Sequence, residues 1–255
     1  MQPSRLAGAL LITCGLMDLI LNAVLLAALT APVLVALLAL SKERRWAPAL
    51  LVLGLIALDD LAVTLPYWAG PLDIFGGNWN WDGKMYSLLW ALAFIAFGPL
   101  SRKEAGVTFR QRPGSIRAAV LATVALTAAS FGLGLLFGGG PPDVETVAFQ
   151  LTMPGLAEEI VYRGVLIGLL HRALPSGGLA ARVGPALITA VAFGLVHGLS
   201  VKEGVPSFEG LFFSYTFVGG LAYGWLRERT GSVAFPILAH SLGNTIALVG
   251  ASIAG

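Results

Sequence analysis

Long apolar stretches recur along the whole chain, and they constrain its fold more than any other feature. The sequence is 56% hydrophobic and only 12% charged, with a mean hydropathy of +0.81. A soluble domain has about 25% charged residues, roughly twice this fraction. Runs of about 20 apolar residues are long enough to cross a bilayer as helices. We therefore expect a multi-pass membrane protein.

The same stretches predict an all-α, polytopic transmembrane helix bundle, because a membrane β-barrel would show alternating segments of about ten residues instead. About eight spans are expected, at residues 6–40, 47–67, 85–100, 116–137, 146–170, 183–199, 208–226 and 233–251. The first span is longer than a single crossing needs. A turn at Asn22 would make it cross twice and give nine spans, whereas Pro32 would only kink it.

Charge in the connecting loops predicts the orientation. The loops at 41–46, 101–117, 171–182 and 227–231 are basic, and the loops between them are acidic or nearly neutral. The positive-inside rule assigns the basic set to the cytoplasm. A chain this rich in Ala, Leu and Gly is typical of a prokaryote, so we expect a cell inner membrane. The net charge of +2 does not suggest a nucleic-acid partner.

Three ionisable groups interrupt one of the apolar spans, in the segment LAEEIVYRGVLIGLL at 156–170. Charged groups at this depth are expensive and usually functional. Glu159 and Arg163 are four residues apart, so they share a helix face and can pair. Glu158 lies about 100° further around the helix and has no local cation. Glu158 is therefore the charge that needs another explanation.

Two later spans also carry polar side chains. His197 lies near the end of one span, and His240 and Asn244 are four residues apart on one face of the last. Taken singly, a buried histidine is often structural, and an intramembrane asparagine more often joins helices than takes part in chemistry. Together with Glu158, however, two imidazoles and an amide are suited to activating water and stabilising an oxyanion.

These residues form three ordered motifs on three predicted helices: E-E-x-x-x-R at 158–163, F-x-x-x-H at 193–197 and H-x-x-x-N at 240–244. In this order they resemble the CAAX protease and bacteriocin-processing family of intramembrane endopeptidases, which includes the Ras-converting prenyl-protein proteases. The resemblance covers about residues 145–250. It divides the chain into N-terminal helices without a motif, 1–140, and a catalytic transmembrane core, 141–255.

The resemblance implies hydrolysis of a peptide bond within the membrane. Carried over to this chain, Glu158 would be the general base on the attacking water, and His197 would help to hold that water. His240 and Asn244 would donate hydrogen bonds to the tetrahedral oxyanion. The implied partners are the lipid bilayer and a membrane-associated or lipidated peptide or protein, and no oligomeric state follows.

The remaining motif residues would have supporting roles. Glu159 and Arg163 would form a pair that fixes the helix and the local charge, with Phe193 packed one turn before the motif histidine. The substrate stays open, since a prenylated C-terminal motif, a leader peptide and a membrane anchor all fit.

The motifs favour chemistry without a metal, although the cofactor is not determined by the sequence. Glu158, His197 and His240 are the set that could hold a divalent ion such as zinc. However, asparagine and arginine are poor ligands, and there is no H-E-x-x-H helix. We therefore assign no metal site.

Two other classes of function compete with the protease. Asp18, Asp59 and Asp60 also lie in apolar spans, and intramembrane carboxylates are typical of a proton-coupled transporter or channel. Alternatively, these aspartates are solvated by water near the outer face of the membrane or in a water-filled cavity, and have no function in transport. No matching pair of interrupted helices suggests the inverted repeats of a transporter. The third possibility is a non-catalytic scaffold or immunity protein.

Overall fold

The computed structural model describes residues 3–175 and 177–255, so position 176 of the basic loop 171–182 lies outside the described residues. This part of the chain is mostly helical. The α-helices are α1 (Pro3–Leu40), α2 (Trp46–Trp68), α3 (Trp81–Phe97), α4 (Ile116–Phe137), α5 (Val144–Glu159), α6 (Ile167–Ala173), α7 (Leu179–Gly198), α8 (Gly210–Thr230) and α9 (Ala234–Ala254).

Three shorter elements complete the fold. A π-helical segment, Ile160–Leu166, joins α5 to α6 without a break, so the three form one continuous rod. A 3-10 turn, Gly70–Leu72, follows α2. Strands β1 (Leu199–Lys202) and β2 (Val205–Phe208) pair as an antiparallel hairpin where a plain loop was expected.

The expectation of an all-α membrane bundle is confirmed. Each of the eight predicted spans coincides with one helix when the α5–α6 rod is counted once. Residues 6–40 belong to the single helix α1, so the predicted alternative of a turn at Asn22 is wrong. Within the described chain, five helical segments are long and apolar enough to cross a membrane: Gly15–Leu40, Trp46–Trp68, Ile116–Phe137, Leu179–Gly198 and Ala234–Ala254. The protein is thus an integral, multi-pass membrane protein.

The α5–α6 rod runs through the centre of the bundle. Every residue from 157 to 170 is buried, and the rod packs against helices from both ends of the sequence. Val161, Val165 and Leu166 are completely buried in the main apolar core. The ionisable groups of the predicted motif are therefore enclosed by protein rather than exposed to lipid.

Two glycines allow α8 to approach α7 closely. A Cβ atom on Gly220 would lie 3.0 Å from the Cα atom of Ala190, and one on Gly224 would lie 2.8 Å from the Cβ atom of Ala186. Small residues four apart are a common way for membrane helices to come together. The close approach also brings the backbone carbonyl of Gly220 to the motif helix.

The basic loops meet at one end of the bundle. The backbone N–H of Arg112 donates to the carbonyl of Thr230 at 2.8 Å, and Arg172 Nε donates to Glu104 Oε1 at 2.8 Å. Arg45 lines a surface pocket together with Glu104 and Arg172. All four basic loops are thus represented at the same end, as their alternation along the chain predicts. Which side of the membrane this end faces stays a prediction.

The loop between α2 and α3 is attached to the start of α5 at the opposite end. Glu145 on α5 accepts hydrogen bonds from the backbone N–H of Asn78 at 2.8 Å and from Trp81 Nε1 at 3.1 Å. Trp79 Nε1 donates to Thr146 Oγ1 at 2.9 Å. These bonds hold the N-terminal helices against the helix that carries the first motif.

Candidate active site

The motif pair Glu159 and Arg163 is completely buried. Arg163 Nη1 donates to Glu159 Oε1 at 3.0 Å, and both side chains are 0% exposed. Arg163 Nη2 also donates to the carbonyl of Gly220 at 3.2 Å. The guanidinium lies 4.6 Å from the ring centroid of Phe193, which is within the range of a cation–π contact. The structure therefore contains the pair that the spacing predicts, in the protein interior.

His240 lies between the two glutamates. Its Nδ1 atom is 2.8 Å from Glu159 Oε1, and its Nε2 atom is 3.8 Å from Glu158 Oε2. A carboxylate can only accept, so Nδ1 donates this hydrogen bond. The ring stacks on Tyr223 with centroids 5.0 Å apart and an interplanar angle of 15°. These contacts fix the ring and direct Nε2 towards Glu158.

Glu158 has no cation on its own helix, as expected, but a lysine from a distant helix lies beside it. Lys84 Nζ donates to Glu158 Oε1 at 2.5 Å, and the two side chains are only 15% and 8% exposed. Lys84 lies on α3, 74 positions before Glu158, so inspection of the local helix could not reveal it. The other oxygen, Oε2, makes no hydrogen bond within the described part of the chain.

His197 is oriented by its own helix. Its Nδ1 atom lies 2.8 Å from the carbonyl oxygen of Phe193, one turn earlier. A carbonyl can only accept, so Nδ1 donates and Nε2 is the nitrogen left for other partners. The Phe193 ring packs on His197 at 4.6 Å and on His240 at 5.9 Å, centroid to centroid. Phe193 thus contacts both motif histidines.

Asn244 joins the last helix to α5. Its Nδ2 atom donates to Gln150 Oε1 at 2.9 Å. This contact is the helix-joining role that an intramembrane asparagine commonly has. An amide nitrogen carries two hydrogens, so one N–H remains beyond the bond to Gln150.

A single cavity connects these side chains. It has a volume of about 1020 Å³, and Glu158, His197, His240 and Asn244 all line it, together with Lys84. Among the described residues that line it, most of the remainder are apolar, including Leu126, Leu133, Phe149, Phe212, Val218 and Leu248. Its size is at the upper end of the range for pockets that hold small molecules or short peptides.

The residues that could hold a divalent metal ion are Glu158, His197 and His240. In the part of the chain that the structure describes, no three or more His, Cys, Asp or Glu side chains converge as the ligands of a metal ion would. Glu158, His197 and His240 therefore line one cavity without forming such a group.

The aspartates that suggested a proton pathway have neutral partners. Asp59 Oδ1 accepts from Ser87 Oγ at 2.5 Å and from Trp90 Nε1 at 3.0 Å. Asp60 Oδ2 accepts from Asn22 Nδ2 at 3.0 Å. Both side chains are buried, and Asp60 also lines the cavity. Their hydrogen bonds connect α2 to α3 and to α1.

Asp18 supports the hairpin. Its two carboxylate oxygens accept from the backbone N–H groups of Glu203 and Gly204, each at 2.8 Å. Both turn residues have positive φ angles, 54° and 75°, so the turn is tight. Asp18 therefore has a structural partner outside the cavity.

Sequence reasoning missed three residues of the site: Lys84, Gln150 and Tyr223. Lys84 lies just before a predicted span, in a segment whose sequence indicates a loop. Gln150 and Tyr223 each lie within a predicted span as isolated polar groups, which was a usable signal. Nothing local links any of the three to a motif.

The fold and the cavity define a polytopic membrane protein with a cluster of polar groups in a mainly apolar cavity. Comparison with known families makes the class more specific. Residues 140–246 match the family model described as Rce1-like, type II CAAX prenyl endopeptidase. This segment includes all three motifs and covers less than half of the chain. The match confirms the predicted resemblance to that family and, with it, the prediction of an intramembrane protease. No curated protein and no solved structure gives a significant match.

Proposed function

We propose that the protein hydrolyses a peptide bond of a membrane-associated or lipidated substrate, with water activated by Glu158. The observation that carries the proposal is the position of Glu158 Oε2. This oxygen has no hydrogen-bond donor in the described chain, belongs to a residue that lines the cavity, and lies 3.8 Å from His240 Nε2. A water molecule held by these groups is within reach of a general base.

Glu158 takes a proton from the water through Oε2, and the water oxygen attacks the carbonyl carbon of the substrate. His197 supports this step because its Nε2 atom is free to accept a hydrogen bond from the same water. When the C–N bond breaks, Glu158 returns the proton to the leaving amine. The products are a carboxylic acid and an amine, which then ionise to a carboxylate and an ammonium, and one water is consumed.

His240 and Asn244 stabilise the tetrahedral oxyanion. Asn244 supplies the N–H that is not bonded to Gln150. Since His240 Nδ1 donates to Glu159, donation from Nε2 requires the imidazolium form of the ring. Preorganised donors of this kind are often the largest contribution to acyl-transfer catalysis.

The lining of the cavity supports a substrate that comes from the membrane. Its walls are mainly apolar, and α8 adds exposed Leu211, Phe212 and Val218 along the cavity. An extended peptide with an attached lipid buries its apolar groups against such walls. Prenylated C-termini, leader peptides and membrane anchors are the substrate classes to compare.

The first experiment is Glu158→Gln in proteoliposomes, assayed by mass spectrometry on a library of lipidated and unlipidated membrane peptides. Glutamine still accepts a hydrogen bond from Lys84 but cannot take a proton from water. The cleavage rate should fall roughly 10²- to 10⁴-fold, and the variant should remain folded. The matched control is Glu209→Gln, because Glu209 is exposed and is not among the described cavity residues.

Full cleavage by Glu158→Gln would remove this residue as the base. If the wild-type protein cleaves no peptide but carries protons across the same liposomes, the function is that of a transporter and the proposed protease function is wrong. If it does neither, the scaffold alternative is favoured.

We also propose that the basic end faces the cytoplasm of a prokaryotic inner membrane. The meeting of all four basic loops at one end supports this orientation, because such loops are retained on the cytoplasmic side. Single cysteines introduced at Arg45 and at Gly139 in a Cys14→Ser background test it. A membrane-impermeant thiol reagent added to intact cells should label the second position only, and labelling of the first would reverse the orientation.

A further inference from the structure

One charged residue of the cavity lies outside the segment that matches the family. Lys84 is in the first turn of α3, whereas the matched segment begins at residue 140. Among the described residues that line the cavity, it is the only lysine or arginine. The N-terminal helices thus supply a positively charged side chain to the wall of a cavity whose motif residues all lie on later helices.

Lys84 is held in place by contacts on both sides. Asn80 begins α3, accepting from the backbone N–H of Gly83 at 2.9 Å and donating to the carbonyl of Val63 on α2 at 2.8 Å. Further along α3, Ser87 and Trp90 donate to Asp59 on α2, as described above. The first turn of α3 is therefore fixed against α2, and Lys84 has little freedom to leave Glu158.

The contact assigns different roles to the two oxygens of Glu158. Oε1 is bonded to Lys84 Nζ, whereas Oε2 is buried without a hydrogen bond in the described chain and lies 3.8 Å from His240 Nε2. A buried carboxylate is stable only when it is paired or hydrogen-bonded. Without Lys84, the carboxylate would lose its one hydrogen-bond donor in the described chain and would be free to rotate.

We propose that Lys84 is a positioning residue for the reaction, which holds Glu158 through Oε1 so that Oε2 faces the substrate. The proposal rests on the proposed function, since it assumes that Glu158 is the base. Lys84 keeps its protons throughout, and the proton taken from water goes to Oε2. The ammonium acts through Glu158 and contacts neither the water nor the peptide.

Cysteine chemistry can test the ammonium separately from the shape of the side chain. The chain has a single cysteine, Cys14, so Lys84→Cys in a Cys14→Ser background presents one reactive thiol. Alkylation with 2-bromoethylamine restores an ammonium at nearly the length of lysine. Alkylation with 1-bromopropane gives a neutral side chain of similar size and is the matched control.

The unmodified Lys84→Cys enzyme should lose roughly 10- to 100-fold in kcat, the factor expected for one charge-assisted hydrogen bond. KM should change less than about twofold, because Lys84 does not contact the substrate. Aminoethylation should recover most of kcat, and propylation should not. Equal recovery by both reagents would reduce Lys84 to a packing role and overturn the proposal, as would a change confined to KM.

A second pair of variants covers the case in which Lys84→Cys does not fold. Lys84→Arg keeps the positive charge and should retain at least about five times the kcat of Lys84→Gln at a similar unfolding temperature. Equal kcat values in these two variants would also overturn the proposal. Failure of the proposed function has a different signature, because Glu158→Gln would then cleave as fast as the wild type.

Discussion

The N-terminal helices, α1–α4, and the motif helices, α5–α9, contribute differently to the same cavity. The motif helices carry Glu158, both cavity histidines and Asn244, and the family match lies entirely within residues 140–246. The N-terminal helices carry no motif, yet they line the cavity with Lys84 and Asp60. The motifs therefore mark several polar residues of the cavity but not all of them.

The two groups of helices also stabilise their buried charges differently. In the motif helices, Glu158 and Glu159 each bind a cation, Lys84 and Arg163. In the N-terminal helices, the hydrogen-bond donors to Asp59 among the described residues are both neutral, Ser87 and Trp90. Breaking a buried ion pair leaves an uncompensated charge, whereas removing the charge of a neutrally bonded group leaves none. Substitutions in the two regions should therefore differ in effect.

The largest effect is expected from Glu159→Gln. It leaves Arg163 completely buried without a counter-charge and removes the charged acceptor of His240. Stability should fall by roughly 3–5 kcal/mol, the range for a broken buried pair. Thermal unfolding in detergent measures this loss, and activity should fall with it.

The matched change in the N-terminal helices is Asp59→Asn, which keeps an acceptor for Ser87 and Trp90. This variant should lose less free energy of unfolding than Glu159→Gln, about 1–2 kcal/mol, because its hydrogen bonds are only weakened. If both variants lost the same free energy of unfolding, the proposed difference between the two groups of helices in how they stabilise buried charges would be wrong. A stable but inactive Glu159→Gln, beside a Glu158→Gln that still cleaves, would mean that the roles of the two glutamates are reversed.

The next effect concerns two polar groups that line the cavity, one from each group of helices. Asn244→Ala removes a proposed oxyanion donor and should lower kcat by roughly 10²- to 10³-fold with little change in KM. Thr64 lines the cavity from α2, where its hydroxyl donates to the carbonyl of Asp60 at 2.6 Å. Thr64→Ala should stay within about twofold of the wild-type rate. Steady-state kinetics on one cleaved peptide compare the two.

An unchanged rate in Asn244→Ala would mean that Asn244 has no part in catalysis and that its role is the structural hydrogen bond to Gln150. A large loss in Thr64→Ala would instead show that the N-terminal wall takes part in the reaction beyond Lys84. Either result would change the division between the two groups of helices.

The helices and the local pairs could be predicted from the sequence because both depend on short-range patterns. Apolar runs marked all eight helical rods, and the four-residue spacing marked the Glu159–Arg163 contact. The π-helical segment could not be predicted, because nothing in the apolar sequence of 160–166 distinguishes it from an α-helix. The first strand of the hairpin does alternate apolar and polar residues, but a run of only four residues, Leu199–Lys202, was too short to stand out between two long apolar spans.

The site was predicted less completely because its remaining contacts are long-range. Lys84 and Glu158 are 74 positions apart, and His240 and Glu159 are 81 apart. Such contacts depend on how α3 and α9 pack around the central rod, which no periodicity specifies. The motif histidines could be anticipated because they are polar groups within apolar spans and also fit the family motifs, whereas Lys84 precedes a predicted span and lies outside that resemblance.

The smallest effect is expected at the exposed joint between the two groups of helices. Hydrogen bonds from the Ser101 hydroxyl and backbone, and from Arg172 on α6, lower the pKa of Glu104 from 4.5 to about 2. A carboxyl with a lowered pKa stabilises the fold above its ordinary value, and this contribution is lost as the pH falls towards 2. Because Glu104 is 39% exposed, the contribution should be below about 1 kcal/mol. Unfolding temperatures of the wild type and Glu104→Gln should converge between about pH 5 and pH 2, and a constant difference would show that this joint is not electrostatic.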